Sequence, residues 1–440
     1  MSKLIDKFKN ISDINKNIIN SGFWILLGSF LSNILLLIAT VLITDFVPKQ
    51  VYGEFGIIKS TINMFSVFAG LGLGLTATKY IAQYKNEDKQ KTSRIIGLSN
   101  VFSVLISVFV LIIFLVFSKS LSYQINAPHL DYELKIAGIL LFFTALNGVQ
   151  KGILSGFEKF KIIAINSIIA SVISLFCQII GAKIYGLDGI IIGFGVNFFI
   201  LYILNYFSIN KITNKEYQFR IFSKQNFKEI NIIWKFSIPA VLSGLMVSPV
   251  TWLTNKFLVS LPKGYEQMAI FDIAMQWRTT VLFIPVALCQ IALPMLATAK
   301  NENYFQILKK NILLNFVVAF IIVMIVIAFI PFILSFYGDE YRNAVLPMTI
   351  MLVTTILIAI NNVVGQAIAS LDKMWLGFIF NMLWGVIILL LSYYYLILRK
   401  EGVIGLCYSY LISYISHTII QYSYLVWIMK FKKNKLNLLT

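Results

Sequence analysis

The chain has 440 residues, of which 58% are apolar and only 13% charged, and its mean hydropathy is +0.82. A water-soluble domain carries roughly 45–50% apolar and about 25% charged residues, so composition excludes a soluble enzyme, a disordered chain and a disulfide-stapled secreted module. The net charge of +18 is spread over the gaps between apolar runs instead of one soluble face, so no nucleic acid is expected as a partner. Cys177, Cys289 and Cys407 lie far apart inside apolar runs, form no metal spacing and read as packing residues.

A bilayer core of about 30 Å needs roughly 20 apolar residues per crossing helix. Uncharged or nearly uncharged intervals of that order recur at 17–44, 60–78, 95–118, 136–150, 162–182, 189–210, 236–255, 279–299, 311–338, 343–371, 374–398 and 402–429. The fourth reaches membrane length only with Lys135 and Lys151 at its ends, and the eighth is expected to start near Glu266. The prediction is an all-α integral membrane protein with twelve transmembrane helices. Residues 1–17 are polar and amphipathic with no small-residue cleavage site, so no cleavable signal peptide is expected.

Orientation follows from Lys and Arg, which are retained in cytoplasmic loops. With the N-terminus inside, the inner segments hold 26 of the 37 basic residues and the outer segments 8, which places both termini in the cytoplasm. An offset of 216 residues aligns the two halves: Phe55 and Ile57 meet Phe271 and Ile273, Ser21 meets Ser237, and Gly186 and Gly189 meet Gly402 and Gly405. Parallel repeats of this kind are a common way of building transporters. The expected organisation is a cytoplasmic amphipathic start (1–17), a six-helix lobe (18–209), a cytoplasmic linker (210–232), a second six-helix lobe (233–429) and a basic cytoplasmic tail (430–440).

Polar side chains within spans usually turn toward a bundle interior or a cavity. At helical spacing the first span aligns Gly22, Ser29, Asn33, Thr40 and Thr44, and the second Lys59, Asn63, Ser66, Gly70 and Gly74. The seventh carries Gly244, Ser248, Thr251 and Asn255, and the eighth Asp272 and Gln276. Packing through small residues accounts for most of the glycines and serines; charges do not fit that account. A charge near the bilayer centre costs at least about 2.5–3.5 kcal/mol on insertion scales. Lys59 lies five residues past Glu54 and Arg278 six past Asp272, spacings that put neither pair on one helical face. They are either paired across helices or form a cationic patch in a cavity, where an Arg fork and a Lys point charge suit an anion such as pyrophosphate. Asp272 is the candidate for moderating that field or carrying a coupling proton. Lys151 and Lys256, near span ends, either snorkel to the interface or contact substrate. His417 reads as a packed, hydrogen-bonded residue.

No Walker A sequence, zinc-protease motif, nucleophile elbow or long soluble domain is present, which points to a secondary transporter or flippase, not an enzyme, with no cofactor. The stretches Val-Tyr-Gly-Glu-Phe-Gly (51–56), Gly-Leu-Gly-Leu-Gly-Leu-Thr-Ala-Thr-Lys-Tyr-Ile-Ala (70–82) and Gln-Lys-Gly-Ile-Leu-Ser-Gly-Phe-Glu-Lys-Phe-Lys (150–161) occur in this order, followed by Gln-Trp-Arg (276–278), Phe-Ile-Pro (283–285) and Leu-Pro (293–294). In them the chain resembles the oligosaccharide flippases, O-antigen or polysaccharide translocases, of the multidrug/oligosaccharidyl-lipid/polysaccharide exporter superfamily. Lys151 departs from the uncharged residue expected in the Gln-Lys-Gly triplet.

The resemblance implies two six-helix lobes in a V, a MATE-like architecture, with helices 1, 2, 7 and 8 around a central cavity. It implies a multi-pass protein of the bacterial cytoplasmic (inner) membrane that moves an undecaprenyl-pyrophosphate-linked oligosaccharide to the outer leaflet by alternating access. The implied partners are that lipid-linked substrate, membrane lipids, and the polysaccharide polymerase and chain-length machinery. Lys59 and Arg278 are then the headgroup candidates, with Asn33, Asn63 and Trp277 as lesser ones. The alternatives are a cation-coupled multidrug exporter, against which the two cations argue, and a polyprenyl-linked glycosyltransferase or ligase, for which no large outer loop is present. Cysteine-accessibility labelling is expected to find residues 79–94 on the cytoplasmic side; labelling from outside would invert the topology.

Overall fold

A bilayer offers no hydrogen-bond partners to backbone amides, so a spanning chain satisfies them within helices. The computed structural model describes residues 23–24, 26–70, 72–213, 217, 223–232, 246–297, 301–371 and 373–437, and among these it contains helices and no strand. The N-terminal stretch 1–17, Ser21, Gly22, Ser237, Gly244 and the side chains of the basic tail lie outside the described residues.

Each of the twelve expected spans coincides with helix in the described residues. Helix α1 covers Leu26–Thr44. Next come α2 (Lys49–Gly70) and α3 (Leu73–Tyr84), which meet at Gly72, a residue in left-handed conformation. Two long helices follow, α4 (Lys89–Gln124) and α5 (Asp131–Gly156). The last element of this half is α6 (Phe160–Thr213), a helical pair interrupted at Gly186. The second half comprises α7 (Val247–Val259), α8 (Gly264–Ala297), α9 (Asn301–Ala328), the short α10 (Ile330–Ser335), α11 (Val345–Ser370), α12 (Met374–Ser392) with a π-helical continuation Tyr393–Leu398, and α13 (Gly402–Asn437). The fourth span does extend past Lys135 and Lys151, and the eighth does begin near Glu266.

Local signals set these limits. Asp88 caps α4 by accepting from the Lys91 amide at 2.8 Å. Asp131 and Glu133 occupy the first turn of α5, where acidic groups complement the helix dipole. Along α4 the large apolar side chains Leu105, Phe109, Ile112 and Val116 stay exposed in the folded chain, as a lipid-facing surface requires.

The chain forms two compact units. One contains the residues up to Ala39 and Thr61–Leu245; the other contains Thr40–Ser60 and the residues from Met246 onward. Residues 40–60, expected in the first lobe, fall in the second unit. In the first unit, α3 and α5 approach at two glycines: a Cβ on Gly74 would lie 2.5 Å from the Gly148 carbonyl oxygen, and one on Gly152 would lie 2.2 Å from that of Gly74. Thr78 Oγ1 donates to the Gly152 carbonyl at 3.1 Å beside this contact. Two of the stretches that carry the family resemblance therefore touch each other. The described part of the linker also belongs here, since the turn Lys224–Glu229 is tied to α4 by the Arg94–Glu229 ion pair at 2.9 Å.

In the second unit α11 packs against α8, α9 and α13, while α7 packs against α8 and α12. The two units share one sign of internal repetition. Gly186 and Gly402, 216 residues apart, both have positive φ, +57° and +66°, a conformation that costs glycine little. The α3–α5 contact is testable by size. Gly152→Val is expected to destabilise the protein by about 1–3 kcal/mol through overpacking, whereas Gly148→Ala, whose Cβ would meet nothing within 4 Å, is expected to be neutral. Thermal unfolding in detergent reads both, and equal midpoints would show that the close approach is not limiting.

Candidate functional site

The stretch Val-Tyr-Gly-Glu-Phe-Gly begins α2 and lies along α8 in the second unit. A Cβ on Gly53 would stand 1.7 Å from the Tyr265 carbonyl oxygen, and one on Gly56 would stand 3.4 Å from Cβ of Asp272. With no side chains at those two positions the helices close up, and Lys59, one turn further, reaches across. Its Nζ lies 2.6 Å from Oδ2 of Asp272, and the Tyr52 hydroxyl donates to the same oxygen at 2.9 Å. Asp272 is 7% exposed and Tyr52 fully buried. The Lys59 ammonium also lies 5.5 Å from the centre of the Phe55 ring.

Of the two outcomes the sequence left open for Lys59, the structure has the interhelical pair. Removing one partner from a buried ion pair typically costs about 3–5 kcal/mol, because the other charge is then stranded. The extra hydrogen bond from Tyr52 meets part of the carboxylate's remaining demand.

Further along α8 three consecutive polar residues diverge. Gln276 Oε1 accepts from Thr40 Oγ1 at 2.7 Å, while its amide nitrogen has no partner. Trp277 Nε1 donates to the Tyr337 hydroxyl at 3.1 Å. Arg278 is buried, 9% exposed, with its guanidinium carbon 5.4 Å and 5.8 Å from the ring centres of Tyr410 and Tyr414. Its Nε and Nη1 meet no acceptor, and among the described residues no carboxylate lies within ion-pair distance. Two aromatic rings stabilise the cation from the side; two nitrogens of its N–H edge, Nε and Nη1, are unmet.

Other candidates are placed differently. Asn255 bonds Ser60 Oγ at 2.9 Å, and half-buried Lys256 lies 5.8 Å from the centre of the Trp252 ring. Lys151 is exposed on α5, and its neighbour Asn147 is buried, donating to the Phe198 carbonyl at 2.8 Å. In the first unit, half-buried Asn33 lines a cavity of about 260 Å³ with Ser32, Ser171, Ser174, Gln178 and Asn197, and Asn63 is exposed. Lys49, in the gap between the first two apolar intervals, begins α2 and is buried. It donates to the Glu340 carbonyl at 2.7 Å and to Asn343 Oδ1 at 3.2 Å. Burial pushes its pKa down, and the carboxylates of Glu266 and Glu340 oppose that shift. Nothing in the local sequence marks it, because its partners are almost 300 residues away.

Residues 18–300 match the family described as polysaccharide biosynthesis protein. The chain belongs to that family. The matched range includes Lys59, Asp272, Trp277 and Arg278. A polysaccharide export inner membrane protein of Ralstonia solanacearum is 28% identical over 175 residues, which is 38% of this chain and 39% of that protein. The aligned chain thus spans well under half the length of that relative. A candidate O-antigen transporter of Shigella flexneri is 22% identical over 91% of this chain and 95% of its own.

Among solved structures, the lipid II flippase MurJ in an inward closed conformation has a TM-score of 0.75 at 16% identity, covering 91% of this chain and 87% of its own. An inward-facing multidrug transporter of the MATE family has a TM-score of 0.72 at 16% identity, covering 92% and 99%. Together these establish the family and the all-α membrane fold, and the relatives named by activity are exporters, transporters and flippases instead of catalysts.

The pair Lys59–Asp272 is testable by double substitution. Lys59→Gln and Asp272→Asn are each expected to lower stability by about 3–5 kcal/mol, with the double variant recovering much of the loss because neither charge is stranded. Additive losses in thermal unfolding would show that the two residues do not act as a pair.

Proposed function

We propose that the chain is a flippase for undecaprenyl-pyrophosphate-linked oligosaccharide repeat units of an O-antigen, capsule or related polysaccharide. In this reading it works as a multi-pass protein of the bacterial inner membrane with both termini cytoplasmic. It moves its substrate from the cytoplasmic to the outer leaflet by alternating access. The single observation that carries the reading is Arg278, a buried guanidinium with two unmet nitrogens and no carboxylate partner among the described residues. A planar fork of N–H donors in a low-dielectric setting suits phosphate oxygens, and a bound pyrophosphate would supply the missing acceptors and countercharge.

The family match and the exporters and flippases among the relatives support the substrate class. A cationic drug, by contrast, would meet a charge of its own sign at Arg278.

Lys59 plays the conditional part. While bound to Asp272 it is neutralised; a proton on the carboxylate would free the ammonium for a second phosphate oxygen, which gives Asp272 its role as coupling candidate. Trp277 holds the segment beside Arg278 through Tyr337. Asn33, Asn63, Lys151 and Lys256 are proposed as secondary substrate contacts. The repeat unit released outside is the substrate of polymerisation, so the polymerase and chain-length machinery are the proposed protein partners.

The test is transbilayer movement of a polyprenyl-pyrophosphate oligosaccharide in proteoliposomes, read by accessibility of the glycan to an added lectin. Wild type is expected to exceed protein-free vesicles, and Arg278→Gln to lose at least about tenfold in rate, the equivalent of roughly 1.4 kcal/mol in the barrier. Full activity of Arg278→Gln in a protein with an unchanged thermal midpoint would remove the headgroup assignment.

A further inference from the structure

Outside the ionic cluster, the second unit has a polar cavity of about 370 Å³ between α11, α12 and α13. That volume is within the roughly 300–1,000 Å³ of small-molecule sites, and by liquid volume it would hold about a dozen waters. Its polar lining includes Asn361, Asn381, Trp384, Tyr414, His417 and Gln421, and among the described residues the lining contains no Asp, Glu, Lys or Arg. Apart from Val247, its described lining lies beyond residue 300, outside the stretch that matches the family.

Three of these side chains are more than nine-tenths buried and have an atom with no partner. They are Asn361 Oδ1 at 6% exposure, Trp384 Nε1 at 3% and Gln421 Oε1 at 4%. A buried polar atom left without a hydrogen bond is costly, and three around one space are an exception that asks for a ligand. The His417 ring is held between Asn361 and Gln421, whose amide nitrogens lie 3.5 Å and 3.0 Å from Nδ1 and Nε2. A neutral imidazole accepts at one nitrogen and donates at the other, so one of the two amides turns its oxygen to the ring, which leaves one amide oxygen and one amide N–H group unmet. One amide oxygen, one amide N–H group and the indole N–H are thus unmet in side chains that line the cavity.

A set of neutral acceptors and donors without formal charge fits neither an anion nor a desolvated metal ion, whose charge would stay uncompensated. It fits a neutral polyhydroxylated ring, each hydroxyl of which both donates and accepts. Trp384 and Tyr414, with ring centres 5.4 Å apart and planes at 37°, add an aromatic wall against which the apolar face of such a ring can pack. Tyr414 is also one of the two rings that sandwich Arg278. The cavity thus begins one aromatic layer away from the guanidinium proposed to hold pyrophosphate.

We propose that this cavity is a carbohydrate subsite that takes a neutral sugar ring of the lipid-linked glycan. The inference rests on the flippase reading for the identity of the sugar's carrier, while the subsite itself is defined by the cavity. Gly365 supplies the means of testing it. A Cβ there would meet nothing within 4 Å, so a larger side chain fills the cavity without displacing helix or neighbour.

The probe is the free oligosaccharide released by mild acid from the lipid-linked pool of the producing bacterium, lacking both pyrophosphate and lipid. Its binding to the purified full-length protein is followed by saturation-transfer NMR. Wild type is expected to bind it, and Gly365→Leu and Asn361→Leu to weaken binding by about tenfold or more, or about 1.4 kcal/mol, with Gly365→Leu keeping the wild-type thermal midpoint. Absence of binding at millimolar glycan, or equal binding by wild type and both variants, would overturn the proposal. So would displacement of bound glycan by sodium chloride but not by potassium or choline chloride at equal ionic strength, the signature of a cation site. Loss of transport in proteoliposomes with glycan binding intact would sink the flippase reading and leave the subsite standing. Transport by wild type without glycan binding would do the reverse.

Discussion

An ammonium and a carboxylate 2.6 Å apart, buried among apolar helices, organise the second unit. Lys59 and Asp272 are 213 residues apart in the chain. Their attraction, reinforced by Tyr52, ties residues 40–60 to a body that is otherwise built from residue 246 onward. The glycines at 53 and 56 are the geometric condition for that bond, because they bring α2 against α8 closely enough for a lysine to cross. A buried pair contributes little net stability against a well-packed apolar alternative, yet it is costly to break from one side only.

The contrast between Lys59 and Arg278 gives the cluster its direction. Both cations lie on neighbouring turns of the same α2–α8 region, and only one is neutralised by protein. Lysine, a mobile point charge, is paired with a carboxylate; arginine, a rigid fork, lies beside the rings of Tyr410 and Tyr414 with no carboxylate at ion-pair distance among the described residues. The amide-lined cavity next to Tyr414 continues the same logic with uncharged groups. The charged side chains are gathered along α2 and α8, and the described lining of the cavity carries polar groups without Asp, Glu, Lys or Arg.

Much of the architecture was legible in the sequence, because a membrane span must be long, apolar and helical. The limits of α5 and α8 and the shared conformation of Gly186 and Gly402 follow from that constraint and from the 216-residue offset. Asp272 and Arg278 stood out for the same reason, as charges in apolar runs. Their partners did not. Periodicity compares residues on one helix, and the pairing of Lys59 with Asp272 and the burial of Lys49 against Glu340 and Asn343 depend on how separate helices pack. The amide cavity was missed for a related reason. Asn361, Trp384 and Gln421 belong to three helices, and each alone reads as an ordinary packing residue; His417 was read as packed and hydrogen-bonded, which it is, without the two amides that hold it. The spacing of His417 and Gln421, one helical turn apart in an apolar run, was the available hint.

The two left-handed glycines also differ in a way that bears on handling the protein. At Gly402 a side chain would collide with the Gln267 amide, whose oxygen accepts from the Val403 N–H at 2.8 Å, so this turn is built into the start of α13. At Gly186 a side chain would meet nothing within 4 Å, and the adjoining Tyr185 is exposed. Open turns of this kind tolerate inserted sequence, since no buried backbone contact has to be given up. The Gly186 turn is therefore the natural attachment point for an epitope, a spin label or a fiducial domain that would make a 50.0 kDa membrane protein visible to single-particle imaging, and its counterpart at Gly402 is the one to leave untouched.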